Sequence, residues 1–361
     1  MRPAAFIPSL PGVSYALAAA VLFGASTPLS KVLLGKVDPI LLAGLLYLGS
    51  GIGLSIWWWL RLHFQTGGRQ EAGITRADLP WLAGAILSGG VVGPVLLMVG
   101  LSATPASSAS LLLNLEGVFT AILAWCVFKE HHDRRIVWGM AAIATGGLVL
   151  SWTGRPELSS FWGNVAIIGA CLAWAIDNNL TRKISAGDPV QIAGTKGLAA
   201  GMVNLVIAFA AAANVPSTPT VLTAAVVGFL GYGVSLVLFI LALRYIGTAR
   251  TGAYFSLAPF TGAAISILVL DDRLTTQLLV AAALMGLGAW LHLTERHEHA
   301  HWHEPLEHEH GHIHDAHHPH GDVEDLHSHL HTHPALPHRH PHYPDIHHRH
   351  DHERDSSFLH Q

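Results

Sequence analysis

Long apolar runs, each broken by charged residues or by Pro and Gly, dominate the first 294 residues of the chain. A helix needs about 20 apolar residues to cross the hydrocarbon core of a bilayer. The pattern therefore predicts an all-α polytopic membrane protein with ten transmembrane helices. The predicted spans are 13–34, 39–62, 80–101, 105–128, 135–153, 161–181, 189–213, 220–243, 249–270 and 275–294.

The two halves of this region repeat one another. The letters LFGA at 22–25 correspond to LAWA at 172–175, and LEGVF at 115–119 corresponds to LAPFT at 257–261. Each half holds five spans, an odd number, so the halves must face opposite ways across the membrane. Inverted repeats with a binding site between them are typical of secondary transporters. The predicted repeats are residues 13–153 and 161–294.

Composition and loop charges support a membrane location. Charged residues make up 12% of the chain, about half the share of a soluble domain. Twelve Lys and Arg residues fall in loops on one side of the predicted spans, against four on the other. Positive loops stay in the cytoplasm. We expect a multi-pass protein of the cell inner (plasma) membrane, surrounded by lipid, with both termini cytoplasmic and no nucleic-acid partner.

Glu116 is the first candidate for chemistry, because it falls near the middle of the fourth predicted span. A carboxylate at that depth is costly unless it faces a cavity or a partner, or is protonated. A protonated Glu that only joins helices is the structural alternative. Gly117 and Pro259 weaken their helices at corresponding points of the two repeats, and paired interruptions of this kind point to a binding site.

A second polar group, Asp177 and Asn178, lies in the sixth span. It either lines a cavity or belongs to the membrane interface. Lys196 is expected to pair with Glu116 or Asp177, or to extend to the surface. Hydrogen bonds to a solute or between helices explain further polar residues equally well. The predicted substrate or coupling residues are Glu116, Gly117, Asn114, Asp177, Asn178, Tyr254 and Pro259.

The run ASLLLNLEGVFTA at 109–121, followed by KE at 129–130, resembles the fourth helix of EamA units in the drug/metabolite transporter superfamily. The letters AP at 258–259 and DD at 271–272 resemble its counterpart in the ninth helix. The resemblance covers about 13–294 and implies a ten-helix carrier, usually an exporter, with a central cavity. The family commonly has Pro after this Glu, where this chain has Gly117.

Missing motifs narrow the function. The chain has no Gly-x-x-x-x-Gly-Lys-Ser/Thr loop, no His-Glu-x-x-His and no Gly-x-Ser-x-Gly. ATP-driven pumping and hydrolysis by the usual motifs are therefore not expected. We predict that the protein is not an enzyme and that it needs no cofactor.

Histidine dominates the last part of the chain, where 24 of the 27 histidines follow residue 291. Residues 295–361 are predicted to form a disordered His-rich cytoplasmic tail. Imidazoles at period two can gather around Zn, Ni, Co or Cu. A pH-responsive strip and a solvated tail without a role are the alternatives. The predicted metal ligands are His297, His299, His301, His303, His308, His310, His312, His314, His327, His329, His331 and His333.

Together these observations predict a secondary transporter that exports small metabolites or drug-like solutes and has a metal-binding tail. The first alternative is a divalent metal (Ni, Co or Zn) efflux transporter whose tail collects the cargo. The second is a metal-sensing or metal-storage membrane protein that transports nothing. The expected partners are lipid, a small-molecule substrate and divalent metal ions, and a homodimer is compatible with the sequence.

Overall fold

The protein is a bundle of apolar helices followed by short strands in the tail. The structure is a computed structural model that describes residues 10–64, 73–128, 134–151, 158–184 and 187–293, and in the tail 298–302, 306–312, 327–333 and 337–341. The helices are α1 Leu10–Leu34, α2 Pro39–Phe64, α3 Leu79–Ala85, α4 Gly93–Ala103, α5 Ala106–Leu112, α6 Leu115–Phe128, α7 Arg134–Ser151, α8 Leu158–Arg182, α9 Pro189–Ala210, α10 Thr218–Gly228, α11 Ser235–Phe255, α12 Ala258–Leu270 and α13 Thr276–Leu293.

Six helical stretches in the described part are long and apolar enough to cross a bilayer. They are Gly12–Leu34, Pro39–Arg61, Leu79–Ala103, Ala106–Leu123, Pro189–Ala210 and Thr218–Ala242. Shorter apolar helices are Val137–Ser151, Ala258–Leu270 and Thr276–Leu291. The predicted all-helical, multi-pass membrane body is therefore confirmed, while the count of ten spans stays a prediction.

The segment between the predicted eighth and ninth spans reverses direction within α11, which is assigned as Ser235–Phe255. The ring of Phe239 lies 4.8 Å from that of Phe255, whereas a straight helix would place residues 16 apart at a distance of about 24 Å. The chain therefore turns back between these two residues, which agrees with the break expected between 243 and 249.

Two π-helical segments, Ile86–Val92 and Phe229–Val234, occupy equivalent positions in the two halves. The first connects α3 to α4, and the second connects α10 to α11. A π-helix widens the turn and is frequently found at functional sites. The widened turn in the first half frees backbone carbonyls for side chains of other helices, as described below.

Two further interruptions also match. Residues 113–114 form a turn between α5 and α6, and residues 256–257 form a turn between α11 and α12. Gly117 and Pro259 lie just after these turns, in the first turn of α6 and of α12. Pro fits there because a helix has no internal acceptor for its first N–H groups.

Helices α2 and α9 pack closely through glycines that correspond to one another. Gly51 faces the backbone of Leu198, and Gly201 faces the backbone of Leu48 so closely that an added Cβ would lie 2.5 Å from the Leu48 nitrogen. Gly44 likewise faces Leu205. Early residues of α2 meet late residues of α9, so the two helices run antiparallel.

Helices α7 and α13 repeat this arrangement. An added Cβ on Gly146 would lie 2.8 Å from Met285, and one on Gly288 would lie 2.6 Å from Ile143. The offset of 142 relates Gly146 to Gly288 and Ile143 to Met285, so each half supplies one glycine and one apolar side chain. Helices α7 and α13 also run antiparallel. Around both contacts, buried side chains such as Leu46, Leu112 and Ile167 form one large apolar core.

In the tail the structure describes two antiparallel ladders. Strand β1 (Glu298–Trp302) pairs with β4 (Pro337–Pro341), and β2 (Leu306–His312) pairs with β3 (His327–His333). Their registers place His opposite His at 299 and 340, 301 and 338, 308 and 331, 310 and 329, and 312 and 327. His297, His303 and His314 lie outside the described residues, and the disordered state of the tail stays a prediction.

Candidate functional site

The carboxyl group of Glu116 lies beside the break between α5 and α6. The Glu116 N–H donates to the Leu113 carbonyl (3.1 Å), so the residue belongs to the first turn of α6. Its Oε1 accepts a hydrogen bond from Asn178 Nδ2 (2.7 Å), which also lies 3.4 Å from Thr120 Oγ1. Glu116 is half-buried and Asn178 is exposed. Two separately predicted candidates thus form one polar surface.

Asp177 has a different environment, although it precedes Asn178 in the chain. Lys196 Nζ donates to both Asp177 oxygens, at 2.7 and 2.8 Å. Thr181 Oγ1 donates to Asp177 Oδ1 (2.8 Å), and both charged residues are buried, with 7% and 5% of their surface exposed. Of the two partners expected for Lys196, the structure shows Asp177. This pair is sealed between α8 and α9.

Gly89 allows the first π-helical segment to reach this ion pair. A Cβ added at Gly89 would overlap Asp177 Oδ2. The Gly89 carbonyl accepts hydrogen bonds from Tyr47 Oη (2.7 Å) and Trp174 Nε1 (2.9 Å). The neighbouring Gly90 carbonyl accepts from Asn204 Nδ2 (3.0 Å). Three helices are therefore tied to one widened turn by buried side chains.

An aromatic cluster that the sequence analysis missed lies next to this turn. The ring of Tyr232 lies 5.3 Å from that of Tyr47 and 5.8 Å from that of Phe23. Phe23 also contacts Trp174 edge to face, at 6.0 Å. The available signal was in the repeat itself, because Phe23 and Trp174 lie within the two matching letter runs.

The other predicted site residues are spread around Glu116. Asn114 is buried, and its Nδ2 donates to the Leu111 carbonyl within the turn (3.0 Å). Tyr254 packs with Tyr15 and Tyr245 against the contact between α1 and α11. Pro259 is buried, whereas Gly117 is exposed, and a Cβ added there would meet no atom within 4 Å in the part of the chain that the structure describes. The structure thus joins Glu116, Asn178 and Gly117 at one reachable surface.

The chemistry of this surface is that of a hydrogen-bonding site. In the described part of the chain no group of three or more His, Cys, Asp or Glu residues is placed to hold a metal ion. A carboxyl and an amide at membrane depth can recognise a polar group on a small molecule or exchange a proton. Apolar helices with such a site inside define the class: a multi-pass membrane protein of the transporter type.

The sequence pattern of the EamA-like transporter family matches the chain twice, over residues 10–152 and 161–294. The chain belongs to the EamA-like transporter family. This membership identifies a membrane transporter of small solutes.

Two relatives are also described as transporters. One, an uncharacterized transporter of Methanothermobacter thermautotrophicus, is 29% identical over 301 residues, which are 80% of this chain and 87% of the relative. The other is the uncharacterized transporter YyaM of Bacillus subtilis, 26% identical over 60% of this chain and 75% of its own length. A solved structure titled "Crystal structure of protein" shares the fold, with a TM-score of 0.58 at 17% identity, over 77% of this chain and 95% of that one.

Proposed function

We propose that the chain exports a small organic solute, which binds to Glu116 and Asn178 between two inverted five-helix repeats. The observation that carries the proposal is the 2.7 Å hydrogen bond between these side chains beside a broken helix. The bond uses Glu116 Oε1, and among the described residues Oε2 has no further partner. The exposed position of Asn178 leaves the pair accessible.

The antiparallel glycine contacts support the inverted arrangement. Gly51 with Leu198 and Gly201 with Leu48 form equivalent contacts at the boundary of the two halves. Substrates of inverted-repeat transporters bind where the repeats meet, near broken helices. Glu116 of the first half and Asn178 of the second half meet in this way. A solute with an amine or hydroxyl donor suits the two acceptor-bearing side chains.

The test is solute flux in proteoliposomes. A panel of labelled amino acids, organic cations and organic anions is offered to the purified protein, to Glu116→Gln and to Asp78→Asn. Asp78 is half-buried, and its carboxylate accepts hydrogen bonds only from nearby Thr75 among the described residues, so its variant is a matched loss of charge away from the site. We expect flux of at least one solute with the parent protein and Asp78→Asn, and its loss with Glu116→Gln. Equal flux with all three proteins would contradict this site.

We also propose that the cytoplasmic tail binds divalent metal, with several histidines per ion. The ladder registers support this, because five His–His pairs bring distant tail segments together. Imidazole is a preferred ligand of Zn, Ni, Co and Cu. Calorimetric titration of Zn²⁺ and Ni²⁺ into full-length protein and into protein truncated after residue 295 tests this. The proposal fails if the truncated protein binds as many ions as the full-length protein.

Metal as the cargo is the second candidate function, since the tail concentrates ligands at one end of the bundle. The cellular Ni, Co and Zn contents are compared in cells with the full-length protein, the truncated protein and Glu116→Gln. A lower metal content with the full-length protein alone would favour metal export. Unchanged contents with all three, together with solute flux, would favour the organic solute. Metal binding without flux of either kind would indicate a sensor or store.

A further inference from the structure

The two ends of the helix bundle differ in the way the broken helices meet. We call the end where α13 leads into the tail the tail side, and the opposite end the far side. The first broken helix consists of α5 on the far side and α6 on the tail side. The second consists of the last turns of α11 on the tail side and α12 on the far side.

On the far side the broken helices are in close contact. A Cβ added at Gly262 of α12 would lie 2.6 Å from Ser110 Oγ and 3.0 Å from Ser110 Cβ. Ser110 is almost fully buried, with 1% of its surface exposed. No solute can pass between α5 and α12 at this contact.

Polar bonds reinforce closure of the far side. Lys31 Nζ, at the end of α1, donates to the carbonyls of Leu101 (2.5 Å) and Thr104 (2.9 Å), where α4 ends. Asp272, just after α12, accepts from the Ser107 N–H in the first turn of α5 (2.8 Å). The bond between Asp272 and Ser107 joins the two halves of the chain on the far side, while Lys31 ties the end of α1 to the end of α4 within the first half.

On the tail side the equivalent contact is open. The offset of 142 that relates the halves here places Gly252 at the position of Ser110, and Thr120 at the position of Gly262. Yet a Cβ added at Gly252 would meet no atom within 4 Å in the described part of the chain. Gly252 is exposed and Thr120 is half-exposed. Among the described residues, nothing therefore fills the space at Gly252 that its counterpart Ser110 fills on the far side.

The composition of the two contacts is the same. Each combines one glycine with one small hydroxyl residue: Ser110 with Gly262 on the far side, and Thr120 with Gly252 on the tail side. Glycine inside a helix costs about 1 kcal/mol relative to alanine. Close packing offsets this cost at Gly262, whereas a Cβ at Gly252 would contact no atom of the described residues in this state. A second state in which Gly252 packs explains its presence.

We propose that Thr120 of α6 and Gly252 of α11 form a tail-side gate, which closes when the Ser110–Gly262 contact on the far side opens. The proposal rests on the proposed transport function and adds the residues that control access to Glu116. Because the two halves are equivalent, the surfaces around Thr120 and Gly252 match those around Gly262 and Ser110. One contact can therefore close while the other opens, and both use surfaces of the same kind. Each state exposes Glu116 to one side only.

Cysteine cross-linking tests the gate. In a background with Cys126→Ser and Cys171→Ala, one variant carries Ser110→Cys and Gly262→Cys, and a second carries Thr120→Cys and Gly252→Cys. A disulfide needs Cβ atoms about 3.8 Å apart, which the far-side pair approaches in this structure. A control variant pairs Thr120→Cys with Gly286→Cys; in α13, Gly286 contacts only Phe260 within 4 Å among the described residues.

We expect the far-side pair to cross-link readily, and the tail-side pair to cross-link more slowly but well above the control. With all four cysteines in one chain, either disulfide is expected in a molecule, but not both. The gate is overturned if the tail-side pair never exceeds the control, or if single molecules contain both disulfides. If the disulfides alternate but no solute moves, the transport proposal fails while the gate stands. If solute moves but the tail-side pair never cross-links above the control, the gate fails while the transport proposal stands.

Gly252→Leu gives a second measurement that does not depend on disulfide chemistry. A Cβ at Gly252 has no described atom within 4 Å in this state, so the variant is expected to fold with its thermal stability retained. Leu at 252 prevents closure against Thr120, so the variant is expected to lose solute flux. Flux is the quantity measured here in place of cross-linking. Full flux with Gly252→Leu would overturn the gate.

Discussion

Asp177 and Asn178 are neighbours on α8, yet they belong to two contrasting polar regions. Asp177 is buried, paired with Lys196 and bonded by Thr181. Asn178 is exposed and bonds to half-buried Glu116. Successive helix residues point about 100° apart, as 3.6 residues per turn requires, so one helix supplies a sealed ion pair on one face and a reachable carboxyl partner on another. Charge in a membrane thus indicates function only where something can reach it.

The largest expected effect is on the sealed side. Lys196→Met leaves the Asp177 charge buried without its cation, and breaking a buried ion pair costs about 3–5 kcal/mol. We expect the midpoint of denaturant unfolding in detergent to fall accordingly, or the protein to be lost from the membrane. The double variant Asp177→Leu with Lys196→Met should recover much of this stability. Parent stability in Lys196→Met alone would show that the pair is not needed for folding.

Gly89→Ala tests how closely the π-helical turn approaches the same ion pair. The added methyl group would overlap Asp177 Oδ2, and overpacking costs about 1–3 kcal/mol. The expected result is a lower unfolding midpoint than for the parent protein. Gly286→Ala is the matched control, since its nearest neighbour is Phe260 at 3.9 Å. An equal response of both variants would contradict the packing described here.

Thr181→Val removes two hydrogen bonds from the sealed region while preserving its shape, because the Thr181 hydroxyl donates to Asp177 (2.8 Å) and accepts from Lys196 Nζ (3.3 Å). We expect the loss of these bonds to cost about 1–2 kcal/mol, because hydrogen bonds to charged groups are stronger than neutral ones but side-chain bonds in membranes are individually weak. We expect a small decrease in the thermal midpoint and unchanged solute flux. Complete loss of flux in Thr181→Val would move the functional site from Glu116 towards Asp177.

Glu116→Gln is expected to change stability least. Gln keeps the oxygen that accepts from Asn178 Nδ2, and the half-buried position tolerates a neutral group, so the unfolding free energy should stay within about 0.5 kcal/mol of the parent value. Flux, however, should be lost. A large decrease in stability together with flux loss would place Glu116 with the structural charges and remove the contrast between the two regions.

Much of the helical body could be predicted from the sequence, because long apolar runs between polar breaks leave few alternatives in a bilayer. The predicted starts at 39 and 189 coincide with the first residues of α2 and α9. Asp188 explains the second, since its side chain accepts from the Val190 N–H at 2.8 Å. Such local capping signals depend only on neighbours in the chain.

Other features depend on partners distant in sequence and could not be predicted. The π-helical turn at Gly89 is stabilised by Tyr47 and Trp174, whose positions on α2 and α8 follow from the assembled bundle. The choice of Asp177 over Glu116 as the partner of Lys196 depends on the rotation of α8.

The glycine contacts between α2 and α9 have a consequence for the origin of the gene. Gly51 and Leu48 come from the first half, and Gly201 and Leu198 from the second, so each half encodes both members of the contact. A single ancestral half, inserted in both orientations, would already present a surface complementary to its own copy. Duplication and fusion then had only to join two subunits that recognised each other, and a present-day chain divided between 152 and 157 should reassemble from its two polypeptides.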